Sequence, residues 1–268
     1  GGFKKKSLTT LHGYKAIFAF SFCFLIFFIS FLFPVIQMLY WTIIFPKHLI
    51  DLDLISLFSN TIILVLFSSF VLISFAFISN YGNRLSRSKF LEILNTLSIS
   101  GYAVPGIILA VAFITFISWF DNNIISFFDI KNIKSIFIGS ILGLVIVYFI
   151  RFYSLASNGI KSGYLKINYS IDESAYLLGY SKFKTFKNIH IPYLKNSILL
   201  IGILISIEVI KELPITLIMR PFNFETFATQ AYIYASQDLL EAAAAPSLFL
   251  ILIASFFILI TSRYILKD

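Results

Sequence analysis

Six apolar runs, near 16–42, 58–79, 100–120, 136–155, 197–219 and 246–264, constrain this chain more than any other feature. Each is close to the roughly 20 residues an α-helix needs to cross about 30 Å of hydrocarbon. Inside a bilayer the backbone must satisfy its own hydrogen bonds, so long apolar runs imply helices rather than open sheet. The balance agrees: of 268 residues, 59% are hydrophobic and only 13% charged, against about a quarter charged in soluble domains. The expected class is therefore an all-α integral membrane protein with six transmembrane helices.

The net charge of +8 does not point to nucleic acid, because the cations sit between apolar runs rather than beside exposed aromatics. Their placement orients the chain. With the N-terminus inside, the inner segments hold Lys4, Lys5, Lys6, Lys15, Arg84, Arg87, Lys89, Arg151 and the lysines from Lys161 to Lys195, with Arg263 and Lys267. The outer loops hold only Lys47, Lys131, Lys134 and Arg220, and Lys211 lies within a span. Acids lean outward (Asp51, Asp53, Asp121, Asp129, Glu225, Asp238, Glu241), although they weigh little in topology. Both termini are expected in the cytoplasm, with residues 1–15 a basic leader and 16–268 one six-span domain. The first run is too long for a signal-peptide core and lacks a small-residue cleavage site. The single cysteine, Cys23, excludes a disulfide framework.

A long inner connection, about 156–196, contains "DESAYLLGYSKFKTFKNIHIP" at 172–192. It reads as a short helix near 171–178, with Asp172 and Glu173 in a first turn that favours acids. Gly179 then permits a bend or a positive φ. A second amphipathic stretch follows from Lys182 to Ile189, with Phe183, Phe186 and Ile189 as one stripe, and Pro192 marks entry to the fifth span. A helix–glycine–helix pair of this kind can present a knob to a partner, or lie on anionic head groups as a basic hairpin. In the third span, Gly101, Pro105 and Gly106 suggest a kinked helix with close neighbours.

The fifth span, "IEVIKELPITLIMRP" at 207–221, carries Glu208, Lys211 and Glu212. Charges in hydrocarbon cost about 2.5–3.5 kcal/mol each, so they usually face a bundle interior or a wet path. Spacings of three and four place these three on one helical face, allowing mutual neutralisation, and Pro214 would bend the helix. A direct pathway role and a purely packing ion pair both fit. His12, His48 and His190 are isolated and read as interfacial residues. No phosphate-binding Gly-rich loop and no metal-ligand cluster is visible, so neither cofactor nor metal is expected in this chain.

The connection at 156–196 resembles the EAA loop of ABC importer permeases. That pattern runs Glu-Ala-Ala, three residues, Gly, nine residues, Ile, one residue, Leu-Pro. Here Glu173-Ser174-Ala175, Gly179, Ile189, Ile191 and Pro192 keep every spacing, with Ser174 and Ile191 as mild departures. A second Glu-Ala-Ala, in "EAAAAP" at 241–246, lacks the glycine, falls on the outer side, and reads as a helix leading into the sixth span. "KELPITLIMRPFNFETFATQAY", residues 211–232, resembles the Lys-Glu-Leu-Pro-x-Thr-Leu-x-x-Arg-Pro signature of ferric-iron ABC importer permeases, and Thr226, Ala228 and Thr229 also fit. "FLFPVIQMLYW" in the first span resembles the opening of the second half of such permeases, so the likeness covers about 14–268.

The resemblance implies a MetI-like fold in a bacterial inner membrane, with a coupling helix in the EAA loop. It implies ATPase coupling through Glu173, Ser174, Ala175, Gly179, Ile189 and Pro192; the candidate path residues remain those of the charged fifth span and its end, Glu208, Lys211, Glu212, Pro214 and Arg220. The implied partners are a cytoplasmic ATPase dimer that binds ATP and Mg, a second permease half, a periplasmic substrate-binding protein and membrane lipid. Ferric iron is the implied cargo; thiamine, phosphonate or polyamine importers share the scaffold, and an ion-coupled secondary transporter is a more distant alternative. Iron-family permeases usually fuse two six-span halves, so the expectation here is one half, with the initial Gly-Gly suggesting a fragment.

Overall fold

A computed structural model describes residues 10–86, 88–127 and 135–265. Lys4–Lys6 and most of the basic leader lie outside the described residues, as do Arg87, Asp129, Lys131, Lys134 and Lys267. Six helices are long and apolar enough to cross a membrane: α1 (Tyr14–Ile44), α2 (Leu54–Ser86), α4 (Gly106–Phe127), α5 (Ile141–Tyr164), α7 (Lys182–Ile210) and α10 (Leu240–Ile265). Between them lie α3 (Lys89–Ile99), α6 (Tyr169–Leu177), α8 (Pro214–Met219) and α9 (Phe227–Ser236).

The core forms around α5, where Leu144, Val147, Tyr148, Phe152, Ala156 and Ile160 are almost fully buried. Membrane helices associate through close packing rather than hydrophobic exclusion, so small residues decide which faces meet. A Cβ on Gly159 would stand 2.5 Å from Ile201 Cγ1, and one on Gly163 would stand 2.7 Å from Leu194 Cδ2. These two glycines let α7 lie against α5. α2 flanks the same core with Leu64, Val65, Leu72, Ala76 and Phe77. α1 buries none of its residues, and its end, from Phe33, packs on α10.

Several boundaries differ from the sequence reading. The third run is a break rather than one kinked helix: α3 stops at Ile99, a single 3₁₀ turn covers Ser100–Ala103, and α4 begins at Gly106. A Cβ on Gly101 would lie 2.2 Å from the Ile150 carbonyl oxygen, so the expected close neighbour is real. α4 continues to Phe127, which places Asp121 inside a helix. There its carboxylate accepts hydrogen bonds from Ser135 Oγ (2.7 Å) and the Ile136 and Phe137 amides. α5 extends to Tyr164, so Arg151, counted above among the inner-loop cations, lies within a span. Residues 241–246 are helical at the start of α10, as expected.

Candidate functional site

Two regions carry the polar chemistry. The first is the connection between α5 and α7. Asn168 caps α6 by accepting from the Ser170 amide at 3.3 Å, and Asp172 lies in the first turn. Ala175 faces inward, whereas Glu173 and Ser174 are exposed, and the Ser174 hydroxyl donates to the Ser170 carbonyl. Gly179 adopts φ +79°, a conformation that L side chains resist, and nothing lies within 4 Å of its missing Cβ. The glycine therefore serves backbone geometry, not packing. Around it Leu177 is 89% exposed, Leu178 78% and Phe183 72%, an apolar knob that hydrophobic periodicity did not signal.

The expected Phe183–Phe186–Ile189 stripe divides accordingly. Phe186 turns inward against Phe77 and Tyr81, while Phe183 joins the exposed knob. Pro192 does not open the fifth span either. Helix already runs from Lys182 and passes through the proline behind a π-type turn at Phe186–His190. Proline lacks an amide and its ring clashes with the carbonyl four residues back, so one wider turn accommodates it. Ile189 sits half-buried in that turn.

His190 corrects the interfacial reading: it is fully buried. Its Nε2 lies 2.7 Å from Asp172 Oδ1, and the other Asp172 oxygen accepts from Arg84 Nε at 2.7 Å. Nothing local to residue 190 signals this, because Arg84 comes from the end of α2, 88 positions before Asp172.

The second region is the end of α7. The helix stops at Ile210, and Lys211–Leu213 separate it from α8. Pro214 therefore starts a new helix instead of bending a continuous one. The break also separates the three charges. Lys211 Nζ contacts Glu208 Oε1 at 2.7 Å, as their spacing predicts. Glu212 turns away, and its Oε2 stands 3.3 Å from Arg151 Nε, within ion-pair range but not as a directed hydrogen bond. Arg151 also donates from Nη1 to the Val104 carbonyl at 3.1 Å. A Cβ on Gly106 would stand 2.7 Å from Arg151 Nη1 and 2.8 Å from Glu212 Oε1, so this glycine makes room for the pair. Thr216 donates to the Glu212 carbonyl freed by the break and is bonded to the Tyr148 hydroxyl.

Arg151 is ten residues into the 24-residue α5, about 15 Å along it, so the helix break meets α5 near its middle. Arg220 is not part of this cluster; it pairs with Glu225 and donates to the Phe224 carbonyl within its own loop. That loop is further fixed by Thr226 and Thr229, which cap α9 reciprocally. Arg151 was detectable, since "YFIRFYSL" sets a charge among apolar residues as clearly as the fifth span does.

No family model matches the sequence. A curated relative, the Fe(3+)-transport system permease protein FbpB 2 of Haemophilus influenzae, is 22% identical over 261 residues, 96% of this chain. The chain spans about half the length of that relative (49%). Among solved structures, a bacterial ABC transporter involved in the import of the acidic polysaccharide alginate matches with TM-score 0.68 at 17% identity, covering 93% of this chain and 94% of that one. The bacterial alginate ABC transporter in complex with an alginate pentasaccharide-bound periplasmic protein matches with TM-score 0.70 at 16% identity, covering 93% of each chain.

Proposed function

Because the chain has the transmembrane fold of the ABC importer permeases, we propose that it is a permease subunit of an ATP-driven, binding-protein-dependent importer. It lines part of the path, and a separate cytoplasmic ATPase dimer hydrolyses ATP. The observation that carries this reading is the α6–Gly179–α7 corner. It combines the EAA spacing with a positive-φ glycine and a solvent-facing apolar knob at Leu177, Leu178 and Phe183. Unburied leucines at the tip of an otherwise polar turn suit a groove on a partner. Glu173, Ser174, Ala175 and Gly179 set the shape of that corner, and Ile189 and Pro192 its passage into the membrane.

The helix from Lys182 to Ile210 gives the corner a lever. It runs as one helix to the break after Ile210, so a displacement at the knob reaches Glu208, Lys211 and Glu212 directly. ATP binding by the partner would swing this helix and open the path outward, and hydrolysis would reset it. Charges and freed backbone groups at a helix break suit the lining of a substrate path. Ferric iron is the cargo best supported, by the run from Lys211 to Pro221 and by the iron-transport relative. Both termini face the cytoplasm, and a second permease half completes the path.

The test is Gly179→Asp. An L residue at this φ costs about 1–2 kcal/mol, and the carboxylate adds charge beside the knob. The variant should insert normally yet lose ATPase co-purification and iron uptake at least tenfold. Normal co-purification would remove the coupling assignment.

A further inference from the structure

The exposed knob is held by a buried ionic cluster that the coupling motif does not contain. Arg84, in the last turn of α2, gives Nε to Asp172 Oδ2 (2.7 Å), Nη2 to the Asn168 carbonyl (3.1 Å) and Nη1 to the Tyr164 carbonyl (3.5 Å). Its guanidinium stacks 4.3 Å from the centre of the Tyr169 ring. Asp172 passes the contact on to His190 Nε2 at 2.7 Å, and Tyr81 and Tyr164 enclose the imidazole at 5.2 and 5.4 Å between ring centres. One turn before Arg84, the Tyr81 hydroxyl donates to the Lys182 carbonyl at 2.6 Å. The end of α5, the start of α6 and the start of α7 thus converge on the last two turns of α2.

Burying such a cluster is poor value as stabilisation, since apolar residues of similar volume often do as well. Its best-attested use is to specify one arrangement. The arrangement specified here is the angle between α6 and α2. Besides the cluster, α6 is held by apolar contacts of Ile171 and Ala175, which fix no angle as a directed ion pair does, and the space around Gly179 is open.

We propose that Arg84, Asp172 and His190 are positioning residues forming a clamp that makes the α6–α7 corner one rigid body with the inner end of α2. Force applied at Leu177 and Leu178 is then delivered to two spans at once, α2 through Arg84 and α7 through His190. This rests on the reading that the knob docks on an ATPase, but the rigidity itself can be measured without one.

The chain has a single cysteine, Cys23, so Cys23→Ser gives a clean background for spin labels at Leu85→Cys and Leu177→Cys. The full-length protein in lipid nanodiscs should show one narrow distance distribution, and Asp172→Asn should at least double its width. An unchanged width would overturn the clamp. If Asp172→Asn fails to insert, Arg84→Lys, which keeps the charge but loses the fork to the two carbonyls, serves for the same measurement.

In the complex reconstituted with its ATPase and binding protein, Asp172→Asn should still co-purify with the ATPase and keep basal hydrolysis. Stimulation by loaded binding protein and ferric-iron uptake should fall at least tenfold. His190→Gln, whose amide nitrogen can reach the Nε2 position, should restore coupling where His190→Ala does not. Equal coupling in Asp172→Asn and wild type would refute the clamp. A wild-type chain that holds its narrow distance but recruits no ATPase would refute the importer reading instead.

Discussion

Glu212 and Glu208 are four residues apart in one apolar span, and their surroundings give them different roles. Glu212 is buried against Arg151, with Gly106 and the Val104 carbonyl closing the site. Glu208 shares its charge with a half-exposed Lys211. Removing one partner of a buried pair leaves an uncompensated charge, at about 3–5 kcal/mol, and the partial exposure of Arg151 places this case at the lower end. Glu212→Gln should therefore lower the thermal midpoint in detergent and reduce uptake together. Glu208→Gln should cost under about 1 kcal/mol and still reduce uptake if the pair lines the path. Indistinguishable melting curves for the two variants would contradict this division. The sequence placed all three charges on one helical face, and the error was physical: i, i+4 geometry assumes a helix that continues, whereas here it stops at Ile210.

Among elements, α5 and α7 depend on close approaches that single glycines permit. One of the tightest is between the 3₁₀ turn after α3 and α5. Gly101→Ala would set a methyl 2.2 Å from the Ile150 backbone oxygen, and neither partner is a flexible side chain that can yield. An overpacking cost of about 1–3 kcal/mol is expected, read as a lower thermal midpoint. Gly82→Ala in α2 is the control, since its Cβ meets nothing within 4 Å and alanine gains about 1 kcal/mol of helix propensity. The presence of these elements was legible in the sequence, because apolar length and turn residues are local properties. Their ends were not. Pro192 looked like a helix start and lies within a helix because a π-type turn absorbs it. Pro214 looked like a kink and is a start because the Thr216 hydroxyl donates to the Glu212 carbonyl and the Glu212 carboxylate accepts from the Ile215 amide. In each case backbone geometry or side-chain capping decides, which apolar length and turn residues do not report.

For the whole molecule, six spans and a one-sided distribution of Lys and Arg predict that the α6–α7 corner and the loop after α8 face opposite sides. Phe222 and Leu177 are both highly exposed, so cysteines placed there on the Cys23→Ser background report the topology. A membrane-impermeant maleimide should label Phe222→Cys in spheroplasts and Leu177→Cys only in inverted vesicles; the reverse pattern would invert the chain. By itself the sequence determined the membrane class, the span count, an expected orientation and the helix–glycine–helix frame of the α6–α7 corner. Hydrophobic length, charge bias and a glycine at fixed spacing each act on a residue's immediate neighbours or on the bilayer. The tertiary structure alone decided which charges meet. Arg151 with Glu212, and Arg84 with Asp172 and His190, join residues from different parts of the chain. In a low-dielectric interior a charge must find whichever opposite charge the packing brings within reach, and no spacing along the chain encodes that choice.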